Sequence, residues 1–200
     1  MKQTTVKPRS AVRIDRPYGR YRLVAGAWNG TCEARAFAGS QIVESVGGDT
    51  VEQAVQALEA RLDARLQAFM EAREDAPSQA EYAEALHAVG PDLSSRQRSL
   101  LRAHIARPGH TASLSGLDAI TRCGSVEMVA TEYGRLGRLI GAFLSFKPKD
   151  PSLPRKLVPL LVVMTTEDTE TQGGIWALRP AFARALAIHS KILGAATEAA

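Results

Sequence analysis

The chain reads as an α+β protein: a small three-stranded sheet plus a long helix, followed by a mostly helical winged helix-turn-helix domain. Three observations predict this. Short segments of strand character from Tyr21 to Val46 are separated by Asn29-Gly30, Gly39 and a closing Gly47-Gly48. An apolar stripe of helical period follows, on Val51, Val55, Leu58, Leu62, Leu66 and Phe69. From Ser78 onward, serine-started helical segments are punctuated by Gly and Pro and close on two apolar stretches around a polar loop.

Two hundred residues suit two small domains. The expected division is a basic flexible arm at 1–19, a β-β-β-α domain at 20–75 and a winged helix-turn-helix-like domain at 76–200. Aromatic residues make up only 6% of the chain, so the cores must come from Leu, Val, Ile and Ala. The formal net charge is +4, and its placement matters more than its size. The first 22 residues carry seven cations (Lys2, Lys7, Arg9, Arg13, Arg16, Arg20 and Arg22) against Asp15 alone. Glu33 to Asp75 is net acidic, and Ser94 to Lys156 holds eleven Lys and Arg against Asp118, Glu127, Glu132 and Asp150. Basic segments on either side of an acidic one point to a polyanionic partner.

Pro8 and Pro17 break the arm. Tyr21–Ala25, Thr31–Phe37 and Gln41–Val46 are the three expected strands. Asp49 or Thr50 caps the long helix, with Glu52 or Gln53 in capping-box spacing. The run GDTVEQAVQALEARLDARLQAF, following short strands, resembles the N-terminal domain of HicB-type antitoxins over roughly Tyr21 to Arg73. That resemblance implies a domain that binds or covers a protein partner, and self-association through this domain is the other expectation. Glu74 to Ser78, with Pro77, reads as the linker.

In the second domain, Ser78 with Glu81 starts one helix and Gly90-Pro91 stops it. Ser94 or Ser95 starts the next, ended by Pro108-Gly109. A short helix from Leu114 to about Arg122 ends at Cys123-Gly124. Ser125 then starts a long one with a buried stripe on Val126, Val129, Tyr133, Leu136, Ile140 and Phe143. Short helix, glycine turn and long helix follow the order of a helix-turn-helix, whose second helix enters the major groove. Ser125, Met128, Thr131, Arg135 and Arg138 are the expected DNA-facing residues of that helix. Arg96, Arg98 and Arg102 are the expected phosphate contacts on the preceding one. Gly137 and Gly141, four apart, lie on one face and predict close approach of another backbone, that of a packed neighbouring helix. Leu157–Met164 and Ile175–Leu178 are read as strands, with Thr165–Gly174 as an acid-tipped wing. Pro180 starts a closing helix.

Ser78 to Ala187, with its blocks RSLLRAHIARPG and YGRLGR and the later GGIWALRPAFARAL, resembles a bacterial module associated with HNH-type nucleases of restriction-like systems. The resemblance implies a winged-helix-like accessory domain in defence or mobile elements. The chain has no HNH motif, so nuclease activity does not carry over.

His87, His104, His110 and His189 are scattered and do not supply the three or four ligands a zinc site requires. Cys32 and Cys123 are far apart, and Gly47-Gly48 is not followed by the Lys-Ser/Thr of a phosphate loop. No enzyme activity, metal or cofactor is expected. No apolar run reaches membrane-spanning length, and the basic N-terminus lacks the apolar core of a secretory signal, so a cytoplasmic protein is expected. The expected function is a DNA-binding regulator or accessory protein of a bacterial defence or mobile-element system, with double-stranded DNA as partner. The alternative is a non-enzymatic protein-interaction factor: an antitoxin, an immunity protein or an inhibitor of a defence complex.

Overall fold

The structure, a computed structural model, describes residues 13–73, 75–148, 155, 157–166 and 174–193. The chain is α+β and divides into two compact units, Met1–Ala68 and Phe69–Ala200. The division falls inside a helix, ahead of the Pro77 segment read as the linker.

The first unit opens on a four-stranded antiparallel sheet, in place of the expected three strands. Its strands β1 (Ile14–Tyr18), β2 (Tyr21–Trp28), β3 (Thr31–Ala38) and β4 (Gln41–Gly48) lie side by side in chain order. The extra strand, β1, falls within the expected arm, where Pro17 reads as a break. On an edge strand the missing N–H costs no interior ladder bond, so Pro17 is accommodated opposite Arg22. Residues 1–12 of the arm lie outside the described residues. The β2–β3 connection is the expected hairpin, with Asn29 at φ 51° and Gly30 at φ 82°. Two successive positive φ values are what a tight two-residue turn needs to match strand twist.

Helix α1 (Val51–Ala72) is started by Thr50, whose hydroxyl accepts from Gln53 N at 3.2 Å. Its buried stripe of Val51, Ala54, Val55, Leu58 and Leu62 follows the predicted period. Leu23, Ala25, Ala34 and Ala36, alternate residues of the central strands, are fully buried. Polar ties fix the helix on this face: Arg16 pairs with Glu59, the Tyr18 hydroxyl donates to Asp63, and Arg61 pairs with Glu44.

The second unit contains α2 (Gln79–Val89), α3 (Ser95–Ile105), β5 (Thr111–Ser113), α4 (Leu114–Thr121) and α5 (Val126–Leu144). After these come α6 (Leu160–Val163), β6 (Met164–Thr166), β7 (Ile175–Leu178) and α7 (Pro180–Ile188). Serine side chains cap α2, α3, α4 and α5, each accepting from the backbone N–H three residues on. Glu81 and Gln97 complete capping boxes on the first two. The three short strands form an antiparallel sheet in the order β5-β7-β6.

Leu157–Met164 is not the expected strand. It is a turn, the single helical turn α6, and then the start of β6. Leu160 to Met164 are all buried, and a short, uniformly apolar run carries no period that separates strand from helix. Its polar groups are met from elsewhere: Tyr82 Oη donates to Val162 O at 2.5 Å and Arg179 Nε to Leu161 O at 2.8 Å. Residues 167–173, which include the acidic tip of the expected wing, lie outside the described residues.

The close approach predicted at the α5 glycines is present. A Cβ on Gly137 would collide with Pro159 O, and one on Gly141 would lie 3.1 Å from Phe146 O. The neighbour is the turn leading into α6 and the chain just past α5, not a long packed helix. No helix among the described residues is long and apolar enough to cross a membrane.

Candidate nucleic-acid interface

Helix α5 is the centre of the second unit, buried on most of its circumference. The four residues between α4 and α5 form a tight turn: Arg122 ends α4 in the left-handed region at φ 51°, and Gly124 has φ 119°. Asp118 holds the turn closed, its carboxylate accepting from Gly124 N at 2.8 Å and its carbonyl from Arg122 N.

What remains open on α5 is one arc. Glu127, Thr131, Arg135, Arg138, Leu139 and Ala142 are exposed, whereas Val129, Tyr133, Leu136 and Ile140 are buried. At 3.6 residues per turn the exposed set occupies about a third of the circumference along roughly 22 Å of axis. Three of the five residues expected on this face stand in it: Thr131, Arg135 and Arg138. Met128 does not, since it is half-buried against the core. Ser125 lies at the start of the helix with both hydrogen-bonding roles in use. It accepts from Met128 N at 3.2 Å and donates to the carboxylate of Glu127.

Glu127 was not among the expected site residues. Bonds from its own backbone N–H and from Ser125 hold its carboxyl below the ordinary range, so it is anionic at neutral pH. The sequence signal was its position, four residues before Thr131 and eleven before Arg138. Arg135 is steered by Glu132, a carboxylate only 3% exposed, whose oxygen accepts from Nη1 at 2.9 Å. Gln97 fixes that segment from α3 by donating to Glu132 O.

The α3 arginines do not form a single face. Arg96 is exposed and, with Thr121 and Cys123, lines a cleft of about 260 Å³ beside the α4–α5 turn. Arg98, two residues on and so on the other side of the helix, is turned back onto the chain. Its guanidinium donates to Leu93 O at 3.1 Å and Gly90 O at 2.8 Å, closing the segment between α2 and α3. Arg102 is half-buried.

His104, beside these arginines in sequence, is fully buried. Its Nε2 donates to Trp176 O at 3.1 Å, which leaves Nδ1 to accept from the Tyr133 hydroxyl at 2.9 Å. The carbonyl is acceptor-only, so it fixes the tautomer. Burial lowers the imidazole pKa to about 4, keeping the ring neutral. It is a strut joining α3, α5 and β7. Among the described residues no three His, Cys, Asp or Glu side chains gather as a metal site would require.

No protein-family model matches the chain, nor does a curated protein or a solved structure.

Proposed function

We propose that the second unit binds duplex DNA as a winged helix, with α5 as the recognition helix. The observation that carries the reading is the connectivity around α5. A helix (α3), a strand (β5), two helices joined by a tight turn (α4 and α5), a single helical turn (α6) and two paired strands (β6 and β7) follow in order, and the sheet order β5-β7-β6 inserts the last strand between the other two. In this reading α2 and α7 are additions, α2 packing on α5 and α7 on α2. Glu127 and Thr131, in the first turns of α5, face base edges, where a carboxylate accepts from the cytosine amino group. Arg135 and Arg138, further along the same arc, face phosphates.

The resemblance to a module of nuclease-associated systems supports a regulator or accessory role in bacterial defence or mobile elements. The chain itself is read as non-catalytic.

The test is fluorescence anisotropy of the full chain on duplex DNA across a salt series. Arg135→Ala/Arg138→Ala is expected to weaken binding and flatten the log–log salt slope by about two, roughly one per lost phosphate contact. Wild-type binding by the double variant, with the fold intact, would overturn the assignment of α5.

A further inference from the structure

We infer that the open face of the first unit's sheet is a second duplex-DNA contact surface, centred on Arg35 and Trp28. The inference stands independently of the reading of α5.

Alternation along the strands separates two faces. One carries Leu23, Ala25, Ala34 and Ala36 toward α1. The other carries Arg22, Val24, Gly26 and Trp28 on β2, paired with Phe37, Arg35, Glu33 and Thr31 on β3. Ser45 and Gly47 extend it on β4, opposite Arg35 and Glu33. It is a shallow surface, low over Ser45 and Gly47 and covered at Gly26 by the Trp28 indole, with two guanidinium groups standing on it.

Those guanidinium groups are held in fixed orientations. Glu33 binds Arg35 through both oxygens, Oε1 to Nε at 2.9 Å and Oε2 to Nη2 at 2.6 Å. The indole of Trp28 lies 5.1 Å from the same guanidinium carbon and is folded back over Gly26. Arg22 is held likewise by Asp15, at 2.7 and 2.5 Å. Each bidentate pair uses the Nε and one Nη2 proton, leaving the remaining three of five donors free to point outward. Arg35 remains 39% exposed and Arg22 62% exposed. A long side chain ordinarily loses rotamer freedom on binding, and here that loss is met within the free protein.

The occupant follows from shape and charge. Arg22 and Arg35 are diagonal neighbours on the two inner strands, so both guanidinium groups fall within the width of one major groove, about 12 Å. Oriented guanidinium groups with free paired donors match the O6 and N7 acceptors of guanine. On and around this face the cations Arg13, Arg22 and Arg35 outnumber the acids Asp15 and Glu33. Arg13 adds its charge beside Asp15. Duplex DNA fits this set better than an acidic protein does, because the donors lie in one shallow sheet plane beside an aromatic ring.

The two tryptophans make a direct test. Trp28 is 38% exposed, and Trp176, in the second unit, is fully buried. Acrylamide quenching of the full chain therefore reads Trp28, and Trp28→Phe confirms the assignment. The probe is a mixed-sequence duplex of about 40 base pairs, roughly four helical turns. At saturation the quenching of Trp28 is expected to be largely lost, and Arg35→Lys, which keeps the charge but breaks the fork, to weaken binding about tenfold. Unchanged quenching of Trp28 in a saturated complex overturns the inference, even where Arg135→Ala/Arg138→Ala abolishes binding and so upholds α5. Protection of Trp28 in that double variant upholds the sheet on its own. Failure of the wild-type chain to bind any duplex at low salt overturns both.

Discussion

The Tyr133 hydroxyl and His104 Nδ1 meet at 2.9 Å in the middle of the second unit, where neither residue is more than 1% exposed. The bond ties α5 to α3, and the ring's other nitrogen ties both to β7. Tyr133→Phe removes the donor and leaves a buried acceptor unpaired, which is expected to cost about 1–3 kcal/mol. Tyr133→Ala also empties the ring's volume, at about 3–5 kcal/mol. Guanidinium unfolding followed by Trp176 emission in a Trp28→Phe background measures both. A Tyr133→Phe protein as stable as its parent would show that the hydroxyl contributes nothing.

A pH dependence follows from the same pair. His104 binds a proton at about 4 in the folded chain, against an ordinary 6.5. The unfolded chain therefore binds more protons between these values, so its stabilisation is fully present above about pH 6.5. It is lost as pH falls toward 4, by on the order of 3 kcal/mol, with no further loss below. His104→Gln lacks this term. The stability gap between wild type and His104→Gln, measured from pH 7 to pH 4, is expected to narrow as pH falls, and a constant gap would contradict a neutral buried ring.

Two glycines of α5, three residues apart, are expected to respond oppositely to alanine. At Gly137 the new Cβ would collide with the Pro159 carbonyl, so the turn before α6 must move, at a cost of about 1–3 kcal/mol or more. At Gly134 the nearest atom to a new Cβ is Arg138 Nη1 at 3.6 Å, the end of a flexible side chain. Gly134→Ala is therefore expected to stabilise by up to about 1 kcal/mol through helix propensity. Thermal melts of the two variants separate the cases.

Arg98 is expected to behave unlike Arg135 and Arg138. Its donors close the Gly90 and Leu93 carbonyls, so Arg98→Ala should lower stability by about 1–2 kcal/mol while leaving the salt slope of DNA binding unchanged. A slope reduced by a full unit with unchanged stability would return Arg98 to the DNA surface.

These cases indicate what the sequence carried. The helix starts at Thr50, Ser78, Ser94 and Ser125, the Asn29-Gly30 hairpin and the buried stripe of α5 were legible, because each is written within a few adjacent residues. β1 was missed because edge position, which excuses Pro17, is a property of the assembled sheet. Leu157–Met164 was misread because a fully buried run has no polar side to set a period. Helical spacing sufficed to group Thr131, Arg135 and Arg138 on the exposed arc of α5. Met128 and Arg98 were misplaced because spacing on one helix does not tell which neighbouring segment covers a side chain. The burial of His104 follows from strands and helices up to 72 residues apart and left no local mark.

The four serine caps of the second unit bear on how it folds. Each closes a ring within four residues and satisfies an amide that the helix itself leaves unpaired. Helix boundaries are thus set by contacts of very short sequence separation, available on the sub-microsecond scale of helix–coil relaxation. The β5-β7-β6 sheet instead joins Thr111 to Ala177, across a long loop whose closure entropy must be met first. The helices are expected to carry the higher φ-values in the transition state and the sheet to condense late, so substitutions at Ser94 or Ser125 slow folding while those in β5 and β7 mainly hasten unfolding.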